Sequence, residues 1–311
     1  RDMIHLNRIL ITTDLTEDSA IALNWAHLLG RPFNSRMALA CVVSPPHVMI
    51  EPELALAGAL PPPVNMDEQM VRAAAQMGRM VRQRLPDFEV ELHPITSFSA
   101  EAGLLELVRK EHFDLIVMAV HGKPSLSHFL FSSTSEQMIQ EAKVPVLCLR
   151  ERADSIQHRI RVRRILCPVD FFEDYLESVK NGYIFARAFN AEMHLLHVAP
   201  EPAESFGWAY ESEEVLLERL VDFVPDEYKR GTSTRHHVMR GSASHRINDF
   251  ADENDIDLIV MSTHGHHGIM DYFFGSNSEQ VLRHSRHAVL VCPAEKLTAE
   301  MPVMASSMES Y

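Results

Sequence analysis

The sequence DLIVM stands at residues 114–118 and again at residues 257–261, an offset of 143. The same offset aligns His121-Gly122 with His264-Gly265 and Ser135-Glu136-Gln137 with Ser278-Glu279-Gln280. Upstream, ILITTD at 9–14 returns as ILCPVD at 165–170, at an offset of 156 that also pairs Glu17 with Glu173, Phe33 with Phe189 and Asn34 with Asn190. Long-period self-similarity means one structural unit used twice, and 311 residues are enough for two cores. The units are read as residues 1–152 and 160–296, followed by a tail over 297–311.

The change of offset leaves 13 extra residues in the first copy. They fall around Pro45–Pro63, PPHVMIEPELALAGALPPP, which carries too many prolines for a central strand or helix and reads as a surface loop. Each unit alternates strand and helix. In the second the expected strands are Arg164–Val169, Glu192–Val198, His236–Met239, Leu258–Ser262 and Ala288–Cys292, short apolar runs of the kind buried parallel strands need. Leu176, Val179, Tyr183, Ala186 and Phe189 recur at three and four residues and give the first helix one apolar stripe. The fold class that follows is α/β, two tandem doubly wound five-stranded parallel-sheet domains of Rossmann-like form.

Composition removes several classes of function. The 29 basic against 43 acidic residues give a net charge of −14, which repels a phosphate backbone, and RIRVRR at 159–164 is the longest basic cluster; nucleic acid is not an expected partner. No run of about 18 apolar residues spans a membrane, and RDMIHLNR at the start lacks a signal-peptide core, so a cytoplasmic protein is expected. Cys41, Cys148, Cys167 and Cys292 lie in apolar runs without CxxC spacing and read as buried thiols.

Doubly wound sheets bind ligands beyond the carboxyl ends of their strands, where the strand order reverses. In the second unit this brings forward Asp170, Val198 and the segment STHGHHGIMDYFFGSNS at 262–278. Gly265 and Gly275 permit close backbone approach, and Ser276–Glu279 has the S-x-x-E form of a helix start. Backbone N–H groups and the helix dipole at Ser276–Ser278 favour phosphate oxygens.

The order ILCPVD, HLLHV, DLIVMSTHG, nine residues, GS, then EQVLRHSRHAVLVC resembles the universal stress protein family, whose ATP-binding members carry G-x-x-G, nine residues, then G-S/T. The resemblance covers nearly the whole chain twice. It implies that Pro168, Val169 and Asp170 line an adenosine pocket and that Val198 meets adenine through its backbone. It further implies that His264, Gly265, Gly275, Ser276, Asn277 and Ser278 surround ribose and phosphates. Ser262 stands where the family has its first glycine, which narrows that space. The ligand implied is ATP or a related adenine nucleotide, with magnesium as its companion ion, and a homodimer is the expected assembly.

The first copy departs further, because Ala119 and Ser132 replace both outer glycines. A side chain at Ser132 stands where phosphate should approach. Thr12, Thr13, Asp14, Val42, His121, Gly122 and Ser133 are left for a modified pocket, and reduced or absent ATP binding is expected there. His264, His266 and His267, with His236, His237, His284 and His287, raise zinc as a secondary cofactor, although no Cys/His ligand spacing accompanies them. Walker and G-x-S-x-G signatures are missing, and Phe171 and Phe172 follow Asp170 where a pyrophosphate loop would lie. The expected function is a stress-response protein holding an adenine nucleotide as a signal or a slowly hydrolysed ligand, at most a weak ATPase. The competing expectation is an interaction scaffold with relic pockets, using Pro45–Pro63 and the 297–311 tail, or a binder of another metabolite or lipid.

Overall fold

A computed structural model describes residues 6–45, 65–120, 133–150, 160–171, 176–201, 211–263 and 276–293. The first copy runs β1 (Arg8–Thr12), α1 (Ala20–Phe33), β2 (Arg36–Val43), α2 (Met66–Arg84), β3 (Val90–Thr96), α3 (Ala100–Lys110), β4 (Leu115–Ala119), α4 (Ser133–Glu141) and β5 (Val146–Leu149). The second runs β6 (Arg164–Pro168), α5 (Leu176–Phe189), β7 (Glu192–Ala199), α6 (Glu213–Phe223), the short α7 (Asp226–Lys229), β8 (Thr234–Arg240), α8 (Ala243–Glu253), β9 (Leu258–Ser262), α9 (Ser276–His284) and β10 (Ala288–Cys292).

The strands form one ten-stranded sheet in the order β3-β2-β1-β4-β5-β10-β9-β6-β7-β8. Within each copy every pairing is parallel, whereas β5 and β10 pair antiparallel. The two expected five-stranded sheets are thus present and joined edge to edge. Both faces of this sheet are buried at its central strands, which explains their unbroken apolar runs. Ile9 and Ile11 enter one core layer and Leu10 the other, and Ile165, Cys167 and Leu166 repeat the arrangement.

The repeated residues outside the strands hold the fold in the same way in both copies. Asp114 accepts from the amides of Asn7 and Arg8, at 2.7 and 2.9 Å, and Asp257 accepts from those of Arg163 and Arg164, at 2.7 and 3.0 Å. The leading aspartate of DLIVM therefore fastens the start of the neighbouring first strand. Asn34 and Asn190 end α1 and α5 in the left-handed conformation, φ 54° and 52°, which their short polar side chains tolerate. Val179, Tyr183 and Ala186 of the expected stripe on α5 are buried, and the Tyr183 hydroxyl meets Thr234 Oγ1 at 3.1 Å.

Three boundaries differ from the sequence reading. The strand expected at His236–Met239 extends over Thr234–Arg240, because β8 is the sheet's edge and Arg235 reaches water while the backbone from Thr234 to Arg240 pairs with β7. The strand expected at Arg164–Val169 ends at Pro168, although Val169 N still donates to Leu196 O at 2.8 Å. The surplus of the first copy is also divided: Ser97 and Phe98 separate β3 from the cap of α3, where Gly241 alone, at φ 123°, separates β8 from the cap of α8. The remainder falls between β2 and β3, and the loop read around Pro45–Pro63 lies, beyond Pro45, outside the described residues. No helix among the described residues is long and apolar enough to cross a membrane.

Candidate functional site

Strand order reverses in the second copy between β6 and β9, since α5 follows β6 into one core layer and α9 follows β9 into the other. The carboxyl ends of these strands carry the expected site residues. Pro168 and Asp170 are half-buried and Val169 is buried, while Val198 stands half-buried one residue before the end of β7. Ser262 closes β9 and is buried, and Thr263 N reaches back to Cys292 O at 3.0 Å.

One hydrogen bond joins the two sides of the glycine-containing segment. The buried Ser278 Oγ donates to Ser262 O at 2.9 Å and ties the first turn of α9 to the end of β9. By helix geometry the first amides of α9 lack intrahelical acceptors, so they form a donor group at the carboxyl rim of the sheet. Asn277 is exposed beside them. Glu279, part of the S-x-x-E signature, pairs one turn onward with Arg283 Nε at 2.7 Å. Pro168, Val169, Asp170, Val198, Ser262, Ser276, Asn277 and Ser278 thus lie at this rim. His264, Gly265, Gly275, His266, His267 and Phe172 fall outside the described residues.

An aromatic stack that the sequence reading missed sits under Asp170. His197 is buried, and its Nδ1 donates to Val169 O at 2.9 Å. Burial holds the imidazole below its ordinary pKa, against the opposing pull of that hydrogen bond and of Asp170. The ring stacks on Phe171 at 4.1 Å, and the Arg219 guanidinium lies 4.3 Å from the same ring centre, with Phe223 edge-on at 5.2 Å. Two groups so close to one ring take its opposite faces. Its sequence signal was the histidine directly before Val198 in HLLHV.

The first copy builds the same rim with other side chains. Cys41 stands at the place of His197 and Thr13 at that of Val169. Thr13 Oγ1 and Ser19 Oγ are 2.6 Å apart, and Asp14, exposed, accepts from Thr16 N at 3.0 Å and Thr16 Oγ1 at 2.5 Å. Burial first, then Asp14, pushes the Cys41 thiol up to about 11, which keeps it protonated at neutral pH. Thr12 is buried, Val42 half-buried and Ser133 exposed, while His121, Gly122 and Ser132 lie outside the described residues.

The described histidines do not converge on one metal position. His284 Nδ1 bonds Gln280 O, His287 Nε2 bonds Asp252 Oδ1 at 2.7 Å, and His194 Nδ1 faces His237 Nε2 at 3.2 Å. In the first copy Glu91, His93 and Glu111 bring ligand atoms within 4.8 Å of one another. Arg8 bonds both of those carboxylates, so a guanidinium already fills the cationic place between them.

A model of the Universal stress protein family matches residues 5–150 and again residues 161–293. Universal stress protein Rv2319c of Mycobacterium tuberculosis is 23% identical over 241 residues, 73% of this chain and 80% of that protein. The Universal stress protein E homolog of Haemophilus influenzae is 23% identical over 210 residues, 63% of this chain and 67% of the relative. A crystal structure of a universal stress protein from Archaeoglobus fulgidus shares the fold, with a TM-score of 0.66 at 18% identity over 94% of this chain and 98% of that one.

Proposed function

The chain belongs to the universal stress protein family, and from that premise we propose that it binds ATP or a related adenine nucleotide chiefly in its second copy. The observation that carries this reading is the Ser278–Ser262 bond, which holds the amino end of α9 against the carboxyl end of β9. Amides so held suit phosphate oxygens. In this proposal Asp170, Pro168 and Val169 line the adenosine pocket, and the Val198 backbone meets adenine. His264, Gly265, Gly275, Ser276, Asn277 and Ser278 surround ribose and phosphates. A magnesium ion arrives with the triphosphate. Asp170 is the acidic candidate at this rim, and the nucleotide is held as a signal or a slowly hydrolysed ligand.

The proposal treats residues 1–152 and 160–296 as the functional units, with the first mainly structural, and a cytoplasmic protein signalling through its bound state. Self-association would use surfaces other than the β5 and β10 edges, which are paired with each other. Titration calorimetry of the full chain with ATP tests the reading: saturable binding of one nucleotide per chain, lost in Gly275→Asp, is expected. Absence of saturable binding, or wild-type binding by Gly275→Asp, would overturn it.

A further inference from the structure

The seat proposed for the second copy is braced by a residue of the first. The carboxyl end of α9 points away from the seat, and its last carbonyls need donors from outside the helix. Val281 O accepts from Ser285 N at 2.7 Å. Leu282 O and Arg283 O both accept from one nitrogen, Nη2 of Arg150, at 2.6 and 2.9 Å. Arg150 directly follows β5, so these bonds cross from one copy to the other over 132 and 133 residues of chain. The repeat breaks its symmetry here: the position equivalent to Arg150 in the second copy is Pro293, which has no side-chain donor to offer α4.

We propose that Arg150 is a positioning residue for the nucleotide site of the second copy, acting along α9 from its far end. The inference rests on the nucleotide reading above. α9 has nine residues, about 13 Å at roughly 1.5 Å per residue, and is fastened at each end. Ser278 holds the amino end to β9 within its own copy, and Arg150 holds the carboxyl end to β5 of the other. The charge of Arg150 acts on the helix dipole only within the last turn. What reaches the phosphates is therefore placement: without Arg150 the last turn shifts against α8, where Ser244 Oγ donates to Gln280 Oε1 at 2.8 Å, and the first-turn amides leave the roughly 0.5 Å tolerance that a preorganised seat needs. The copy that kept its glycines is also the copy whose helix is braced from outside.

The test compares the full chain with Arg150→Ala, Arg150→Lys and a junction control, Leu147→Ala, by ATP calorimetry and by hydrogen exchange at the Asn277 and Ser278 amides. Arg150→Ala is expected to weaken ATP about five- to tenfold and speed exchange at those amides, with Arg150→Lys restoring part of both. The control should leave affinity within twofold although it lowers the melting temperature as much. Wild-type affinity in Arg150→Ala, or an equal loss in Leu147→Ala, overturns the inference while the nucleotide reading stands. If the unmodified chain binds no nucleotide, the nucleotide reading fails separately, and unchanged exchange in Arg150→Ala then overturns the bracing as well.

Discussion

Leu147 and Leu290 face each other where β5 and β10 pair, and they occupy the same position of the repeat, 143 residues apart. Both enter the same core layer, so the axis relating the copies runs through the sheet between them and perpendicular to it. Phe33 of α1 meets Phe185 of α5 edge-to-face at 6.2 Å and continues the junction.

Truncating either leucine should cost about 2–5 kcal/mol, the range for a buried Leu→Ala change. Because the side chains share one packed region, the double variant should depart from additivity by at least about 0.5 kcal/mol. Urea unfolding of the two single variants and the double variant measures this. Strict additivity would mean that the pair does not couple the copies.

Asp170 and Asp14 are equivalent residues with different surroundings. Asp170→Asn should weaken ATP by roughly tenfold, about 1.4 kcal/mol. Asp14→Asn, where the carboxylate is exposed and engaged by Thr16, should leave affinity unchanged. Calorimetry on both variants decides, and equal losses would place nucleotide in the first copy as well.

Removing the Ser278 hydroxyl should cost about 1 kcal/mol of stability, the usual net value of one hydrogen bond. The Ser278→Ala chain should also lose ATP affinity by a larger factor than that stability change implies, because the first turn of α9 is freed. Denaturant midpoints and ATP titrations of the same preparation separate the two effects.

Acid should weaken the second copy through His237. Burial, and after it the nearby His194, Arg235 and His236, pushes this imidazole down to about 4, with Glu192 opposing. The unfolded chain takes up the proton near pH 6.5 and the folded chain only near 4, so stability is full above about 6.5 and falls as pH drops through that window. His237→Gln should flatten part of this decline in urea midpoints measured from pH 7.5 to 4.5; an unchanged slope would remove His237 as its source. His194 and His197, also held down by burial, supply part of what remains.

The fold was legible because its decisive residues repeat for physical reasons. Asp114 and Asp257 reappear because each accepts two strand amides, and Asn34 and Asn190 because each ends a helix in the left-handed conformation. The β5–β10 junction was not read, since pairing between copies leaves no periodic mark. Its trace lay in VLCL and AVLVC, which carry no charge of the kind that guards an edge strand. The ends of β8 were missed for the opposite reason, the polar Thr234 and the charged Arg235 and Arg240 masking a paired backbone. At the site, the motif located the rim through Asp170, Val198 and Ser278. The His197–Phe171–Arg219 stack and the reach of Arg150 depend on contacts between distant elements, which spacing does not encode.

Across the Leu147–Leu290 pair, one polypeptide does what two identical chains could do only in lockstep. In a symmetric assembly every substitution strikes both copies at once. Here Ser132 and Gly275 hold equivalent positions in one molecule, as do Arg150 and Pro293, so a change in one half leaves its counterpart untouched. Joining the copies end to end thus leaves each copy free of changes in the other.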